Sequence, residues 1–210
     1  MKNKIKKNNI NNIKAIIFDI GGVVTKPGTT TALIEFYSKK FKIPLSTVDR
    51  FVRKQSHLAE INKINFDDFI DSTAKHFNLE NKKEILRKAT LNLNKPRKET
   101  LNLIKKLRKR YKVYALSNHI KTWLEYEKKK YHLGRYFDKI FTSYEIGASK
   151  PSPKIFKFVL SKLKLKPHEC IFIDNSVKNE AKAKKLHFKI ILFRSVSKVK
   201  KHLIKYGVEV

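Results

Sequence analysis

Cysteine is almost missing from this chain, with one residue, Cys170, in 210. A disulfide framework within the chain is therefore impossible. The thiol sits inside the apolar run "CIFI", which reads as a buried structural side chain. Acidic residues are scarce as well: 18 Asp and Glu face 49 Lys and Arg, a formal charge of +31. Such an excess invites a nucleic-acid partner, because counterion release rewards dense positive charge. The lysines are spread along every segment, however, and neither paired Cys/His ligands nor an aromatic RNP run is present. The expectation is a solvated basic surface, with specific nucleic-acid binding unlikely despite the charge. Long apolar runs are lacking too. The N-terminal "MKNKIKKNNINNIK" is charged, and the apolar stretch after it is broken by Asp19 without a small-residue cleavage pattern. It reads as neither a signal peptide nor a membrane span, but as a basic lead-in over residues 1–13 of a cytoplasmic protein.

What is present is a set of short apolar runs. "AIIF", "VYAL", "CIFI" and "IILF" have strand length and β-branched or aromatic content, with "KIFTS" at 139–143 as a weaker fifth. Helix-like segments separate them. Continuous apolar strands alternating with helices predict an α/β fold: a parallel sheet of about five strands between two helical layers, a Rossmann-like three-layer core. Between Val24 and about Lys95 the pattern changes to consecutive amphipathic helices with no convincing strand. The predicted organisation is an α/β core from 14–24 and 96–210, interrupted by an all-helical insertion over 25–95. Asn65 is the expected N-cap of one inserted helix, followed by Asp67 and Asp68 in its first turn. Trp123 is expected to pack between helix and sheet.

The informative feature is how the strands end. "AIIF" runs into Asp19, "VYAL" into Ser117 and Asn118, and "CIFI" into Asp174 and Asn175. In an open parallel sheet the carboxyl ends of the strands converge on one crevice, where ligands bind. Lys150, in the "GASKPSP" loop after the fifth run, can reach the same crevice, with Pro151 and Pro153 holding that loop extended before a helix. Each residue alone has a dull explanation as a cap or surface charge; together they form a set able to do chemistry. A carboxylate can act as a nucleophile through a covalent aspartyl intermediate. Magnesium suits a few carboxylates plus substrate oxygens, and a hydroxyl and a lysine can hold the remaining oxygens of a phosphoryl group.

These motifs resemble the haloacid dehalogenase (HAD) superfamily over nearly the whole chain from about Lys14. "IIFDIGGVV" is similar to its first motif, "LSNH" to its second, "GASKPSPKIF" to its third and "FIDNSVKNEAKAKKL" to its fourth, in the right order and spacing. The helical insertion, with "AEINKINFDDF", resembles the small cap of the subgroup that holds sugar-phosphate and phosphoglycolate phosphatases and dehalogenases. The resemblance implies a Mg²⁺-dependent phosphatase of small phosphorylated metabolites, with catalytic Asp19, Ser117 and Lys150. Asp19 would be the nucleophile. Ser117, Asn118 and Lys150 would bind the phosphoryl group, and Asp19, Asp174 and the Gly21 carbonyl would hold the metal.

Two positions depart from the common phosphatase pattern. Gly21 stands where a second Asp ordinarily acts as acid and base, a function that typically contributes ~10²–10⁴ in rate. Asn175 replaces the second of two consecutive acids, which weakens the expected hold on magnesium. These departures motivate an alternative, a HAD-fold binding or regulatory protein with little turnover. A 2-haloacid dehalogenase, whose halide leaves without a proton, is a further alternative. Its pattern after the nucleophile has an aromatic residue and then Gly-Thr, and "IGGVV" has neither. On the same resemblance His187 stands where glycine is frequent, so a left-handed backbone is expected there.

Overall fold

The computed structural model describes residues 13–28 and 30–210. Of the expected lead-in, residues 1–12 lie outside the described residues, whereas Ile13 is buried in the core. Five strands form one parallel sheet: β1 (Ala15–Phe18), β4 (Lys112–Ser117), β5 (Lys139–Thr142), β6 (Cys170–Asp174) and β7 (Lys189–Leu192). Their order is β5-β4-β1-β6-β7, so β1 is central, in register with β4 (Phe18 against Ala115) and with β6 (Phe18 against Ile173). The chain moves outward through β4 and β5, then crosses back to β6, placing the reversal of winding beside β1.

Alternation along β1 explains the three layers. Ile16 and Phe18 join one apolar cluster with Ile104 and Leu107 of α5 (Lys98–Leu107) and Val199 and Leu203 of α10 (Val196–Lys205). Ala15 and Ile17 face the opposite cluster, with Ile155, Phe156 and Val159 of α8 (Pro153–Leu163) and Ala183 of α9 (Val177–Lys185). Both faces of the strand are therefore buried, and each large side chain sealed there contributes about 1.5–3 kcal/mol. Cys170 lies inside the second cluster, and burial pushes its thiol pKa up to about 12. It is an unreactive core side chain.

The segment after β1 folds into α1 (Thr30–Phe41), α2 (Leu45–Glu60), α3 (Phe66–His76) and α4 (Lys83–Asn92). Asn65 caps α3: its side chain accepts from the Asp68 amide at 2.8 Å, while the Asp68 carboxylate accepts from the Asn65 amide at 3.0 Å. The inserted helices close on their own core, including Leu33, Val52, Phe69 and Leu86, with the Tyr37 and Thr90 hydroxyls 2.7 Å apart inside it. Ile120 and Trp123, at the start of α6 (Lys121–Tyr131), belong to this third core. Trp123 therefore does not pack between helix and sheet as expected; it faces the inserted helices. The expectation of no strand across 25–95 also needs correction. The two crossings pair as a two-residue antiparallel ribbon, β2 (Thr25–Lys26) with β3 (Lys95–Pro96), too short to leave a periodic signal. His187 has φ 62, the left-handed conformation expected at that helix end. Among the described residues no helix is long and apolar enough to cross a membrane.

Candidate active site

Asp19 extends β1 by one residue, its amide donating to the Ile173 carbonyl at 2.8 Å. The chain then turns sharply, with the amides of Val23, Val24 and Thr25 converging on the carbonyl of Ile20. The Ile20 amide donates to Asp19 Oδ1 at 2.8 Å, fixing the carboxylate at the strand end. The turn explains Gly21: a Cβ there would lie 2.1 Å from the carbonyl oxygen of Gly28. Only glycine lets the two passes of the loop approach this closely.

The sheet brings the other predicted residues to the same end. Lys150 reaches in from the loop between α7 (Ser143–Ile146) and α8, and its side chain is 1% exposed. Its ammonium donates to Asp19 Oδ1 at 2.8 Å, to Asp174 Oδ2 at 2.8 Å and to the Leu116 carbonyl at 2.9 Å. Those three bonds use every N–H of the group. Lys150 thus serves Asp19 as a fixed positive charge rather than as a free donor. Burial works against the ammonium, but Asp174 and Asp19 outweigh it and hold its pKa above the ordinary lysine value. For Asp19, burial raises the pKa most, Lys150 pulls it down and Asp174 pushes it up, leaving it at about 6.

Asn118 and Asp174 are both bonded to Lys150. Asn118 accepts from the Lys150 amide at 2.8 Å and donates to the Lys150 carbonyl at 2.9 Å. Its amide therefore clamps the lysine's backbone although it lines the cleft. Asp174 is fully buried, and its oxygens accept from Ser176 N (2.8 Å), from Asn179 Nδ2 (3.1 and 3.0 Å) and from Lys150. With its lone pairs so committed, Asp174 anchors Lys150; the side chain facing the cleft at this strand end is Asn175. Ser117 is buried at the end of β4, its hydroxyl reaching only its neighbour's carbonyl at 3.4 Å.

Asp19, Asn118 and Lys150 border a cleft of about 310 Å³ between the sheet end and the inserted helices, whereas Ser117 and Asp174 lie behind its wall. Its wall includes Asp19, Gly21, Asn118, Lys150 and Asn175 from the core, and Arg53 and Glu60 from α2. Sequence reasoning missed Glu60. Its carbonyl accepts from Ser143 Oγ at 2.6 Å, which docks the end of α2 onto the core. Beside it lies a small inner pocket of about 30 Å³ lined by Glu60, Ser56, Asn94, His119 and Trp123. Ser56 Oγ and Trp123 Nε1 there are buried without hydrogen-bond partners among the described residues. His119 Nε2 stands 3.7 Å from the buried Glu127 carboxylate. Burial lowers the His119 pKa, but Glu127 overrides this and holds it above the ordinary value.

A buried carboxylate at the end of the central strand, beside a charge-locked lysine, accords with the family model that matches residues 13–186, that of haloacid dehalogenase-like hydrolases. The chain belongs to that family. Among relatives of this HAD-like hydrolase, a D-ribitol-5-phosphate phosphatase of Bacteroides thetaiotaomicron is 30% identical over 188 residues, covering 84% of this chain and 89% of the relative. A HAD family enzyme of the same organism, solved in complex with magnesium and inorganic phosphate, superposes with a TM-score of 0.70. It is 26% identical, and the match covers 88% of this chain and 96% of that one. The fold also matches L-2-haloacid dehalogenase from Xanthobacter autotrophicus, with a TM-score of 0.63 at 16% identity, covering 92% of this chain and 83% of that one.

Among the described residues no group of three or more His, Cys, Asp or Glu could hold a metal ion. At the end of β1 and β6 the cleft is lined by Asp19 and Asn175, with Gly21 alongside. One carboxylate with neutral oxygens fits magnesium, which completes its shell with water and phosphate oxygens.

Proposed function

We propose that this HAD-like hydrolase is a phosphatase of small sugar or polyol phosphates, acting through an aspartyl-phosphate at Asp19. The observation that carries the reading is the Asp19–Lys150 pair, 2.8 Å apart in the wall of a cleft large enough for such a substrate. The phosphatase relative and the phosphate-bound neighbour support it. The inserted helices over 25–95 act as the cap that shields the first transfer from water.

Asp19 attacks phosphorus in line. Lys150 orients its Oδ1 and offsets the charge that gathers as dianionic ester and carboxylate meet. Asn118 keeps the lysine in place through its main chain, and the Ser117 hydroxyl is available at the same strand end for a phosphoryl oxygen. Mg²⁺, held by Asp19, Asn175 and the Gly21 carbonyl, would supply electrostatic neutralisation of the phosphoryl oxygens.

The test is release of phosphate from p-nitrophenyl phosphate and a panel of sugar and polyol phosphates with Mg²⁺. Turnover lost in Asp19→Asn is the expected result. No release from the wild-type protein on any of these substrates would favour a binding protein without turnover, the reading that Gly21 and Asn175 support.

A further inference from the structure

Cleaving an alkyl phosphate requires a proton at the departing oxygen, and the core offers none where the family pattern places it. Gly21 has no side chain, and the 2.1 Å approach to the Gly28 carbonyl bars one. Among the described residues lining the cleft, the carboxyl groups are Asp19 and Glu60. His119 borders the inner pocket, but its ring is turned to the Ile120 carbonyl (3.3 Å) and to Glu127 (3.7 Å). Glu60 differs from these committed groups. Its main chain is held on the core by Ser143, and its carboxylate has no hydrogen-bond or ion-pair partner among the described residues.

We propose that Glu60, carried by the inserted helix α2, is the general acid and base of this hydrolase in place of the missing core carboxylate. The proposal rests on the phosphatase reading. As Asp19 Oδ bonds to phosphorus, the bond from phosphorus to the alkyl oxygen breaks and that oxygen takes the Glu60 proton, leaving as an alcohol. The Glu60 carboxylate then takes a proton from water as the water oxygen bonds to phosphorus. The bond from phosphorus to Asp19 breaks, and phosphate, free Asp19 carboxylate and protonated Glu60 result. Groups facing Glu60 come from every neighbouring element: Asp19 after β1, His119 after β4, Lys150 before α8, and Arg53 on its own helix. Burial outweighs the opposing charges of His119 and Lys150 and lifts the Glu60 pKa to about 7, suited to giving and retaking a proton near neutrality.

The experiment compares wild type, Glu60→Gln and Asp19→Asn on glycerol phosphate, a poor leaving group, and p-nitrophenyl phosphate, which leaves without protonation. In Glu60→Gln, kcat on glycerol phosphate should fall about 10²–10⁴-fold with KM little changed. Rapid mixing with p-nitrophenyl phosphate should still show a burst of one nitrophenolate per site before slow turnover. The loss of kcat above about pH 7 expected for the wild type on glycerol phosphate should be absent in Glu60→Gln. A Glu60→Gln protein within a few-fold of wild type on glycerol phosphate overturns the assignment while Asp19→Asn inactivity upholds the phosphatase. Loss of the burst together with turnover also overturns it, since Glu60 would then be needed for Asp19 attack itself. Absence of wild-type turnover on any phosphate removes both readings.

Discussion

On the core side of the cleft Lys150, Asp174 and Asn118 are committed to one another and to their neighbours. Lys150 spends its three N–H bonds on Asp19, Asp174 and Leu116, Asp174 is filled by Lys150, Asn179 and Ser176, and Asn118 closes on the Lys150 backbone. The inserted helices present Glu60 without a partner and Ser56 with its hydroxyl unfilled, beside the small pocket that Trp123 of α6 also lines. A saturated network holds a fixed charge pattern but accepts few new bonds. The side that closes over a substrate keeps its donors and acceptors for that substrate. The cleft thus divides preorganisation, which the core provides, from recognition and proton transfer, which the insertion provides.

The sharpest way to break this division is Lys150→Met. Removing the cation leaves two buried carboxylates facing each other, and breaking a buried ion pair costs about 3–5 kcal/mol. Urea unfolding at pH 7.5 should show that loss, with activity abolished. Asn118→Ala comes next. Two hydrogen bonds to the Lys150 main chain disappear, and stability should fall by about 1–3 kcal/mol, with kcat lowered more than KM is raised. Asn65→Ala probes the insertion away from the cleft. Losing the capping box should cost about 1 kcal/mol in thermal unfolding and leave kcat unchanged.

A further effect has the opposite sign. Glu60 has a folded pKa of about 7, raised above 4.5, so the folded state binds more protons between those values. The stability contributed by Glu60 is then fully present below about pH 4.5 and is lost as pH rises through 7. Glu60→Gln removes the loss, and its melting temperature should exceed that of wild type at pH 8 by about 2–4 °C per kcal/mol recovered, the gap closing toward pH 5. A gap that is constant with pH would mean that the gain comes from packing.

Gly21 shows how a sequence departure can mislead. Restoring Asp at 21 looks from the sequence like a route to faster turnover. The turn leaves 2.1 Å where a Cβ would need over 3 Å, so the loop would have to move before the acid could act. The expected gain becomes an expected loss. Asp174 carries a related lesson. A strand-end acid in the right motif reads as a metal ligand, yet its partners Lys150 and Asn179 come from 24 residues before it and 5 after it. Which of two adjacent strand-end residues turns into the cleft is decided by those partners.

What the sequence determined by itself is the local physics. Apolar runs of strand length, the helices between them, the Asn65 cap and the polar residue closing each strand all follow from neighbours within a few positions. The convergence of Asp19, Ser117, Asn118 and Lys150 was legible too, because a parallel sheet gathers strand ends regardless of detail. Tertiary structure decided what those side chains do on arrival: Lys150 as a locked charge, Asn118 and Asp174 as its supports, Trp123 turned to the insertion, and Glu60 in the wall of the cleft that Asp19 also lines. The Glu60 carbonyl meets Ser143 across 83 residues, a contact set by how two separately cored units dock. Local periodicity carries no record of that docking, since either partner alone reads as an ordinary helix terminus.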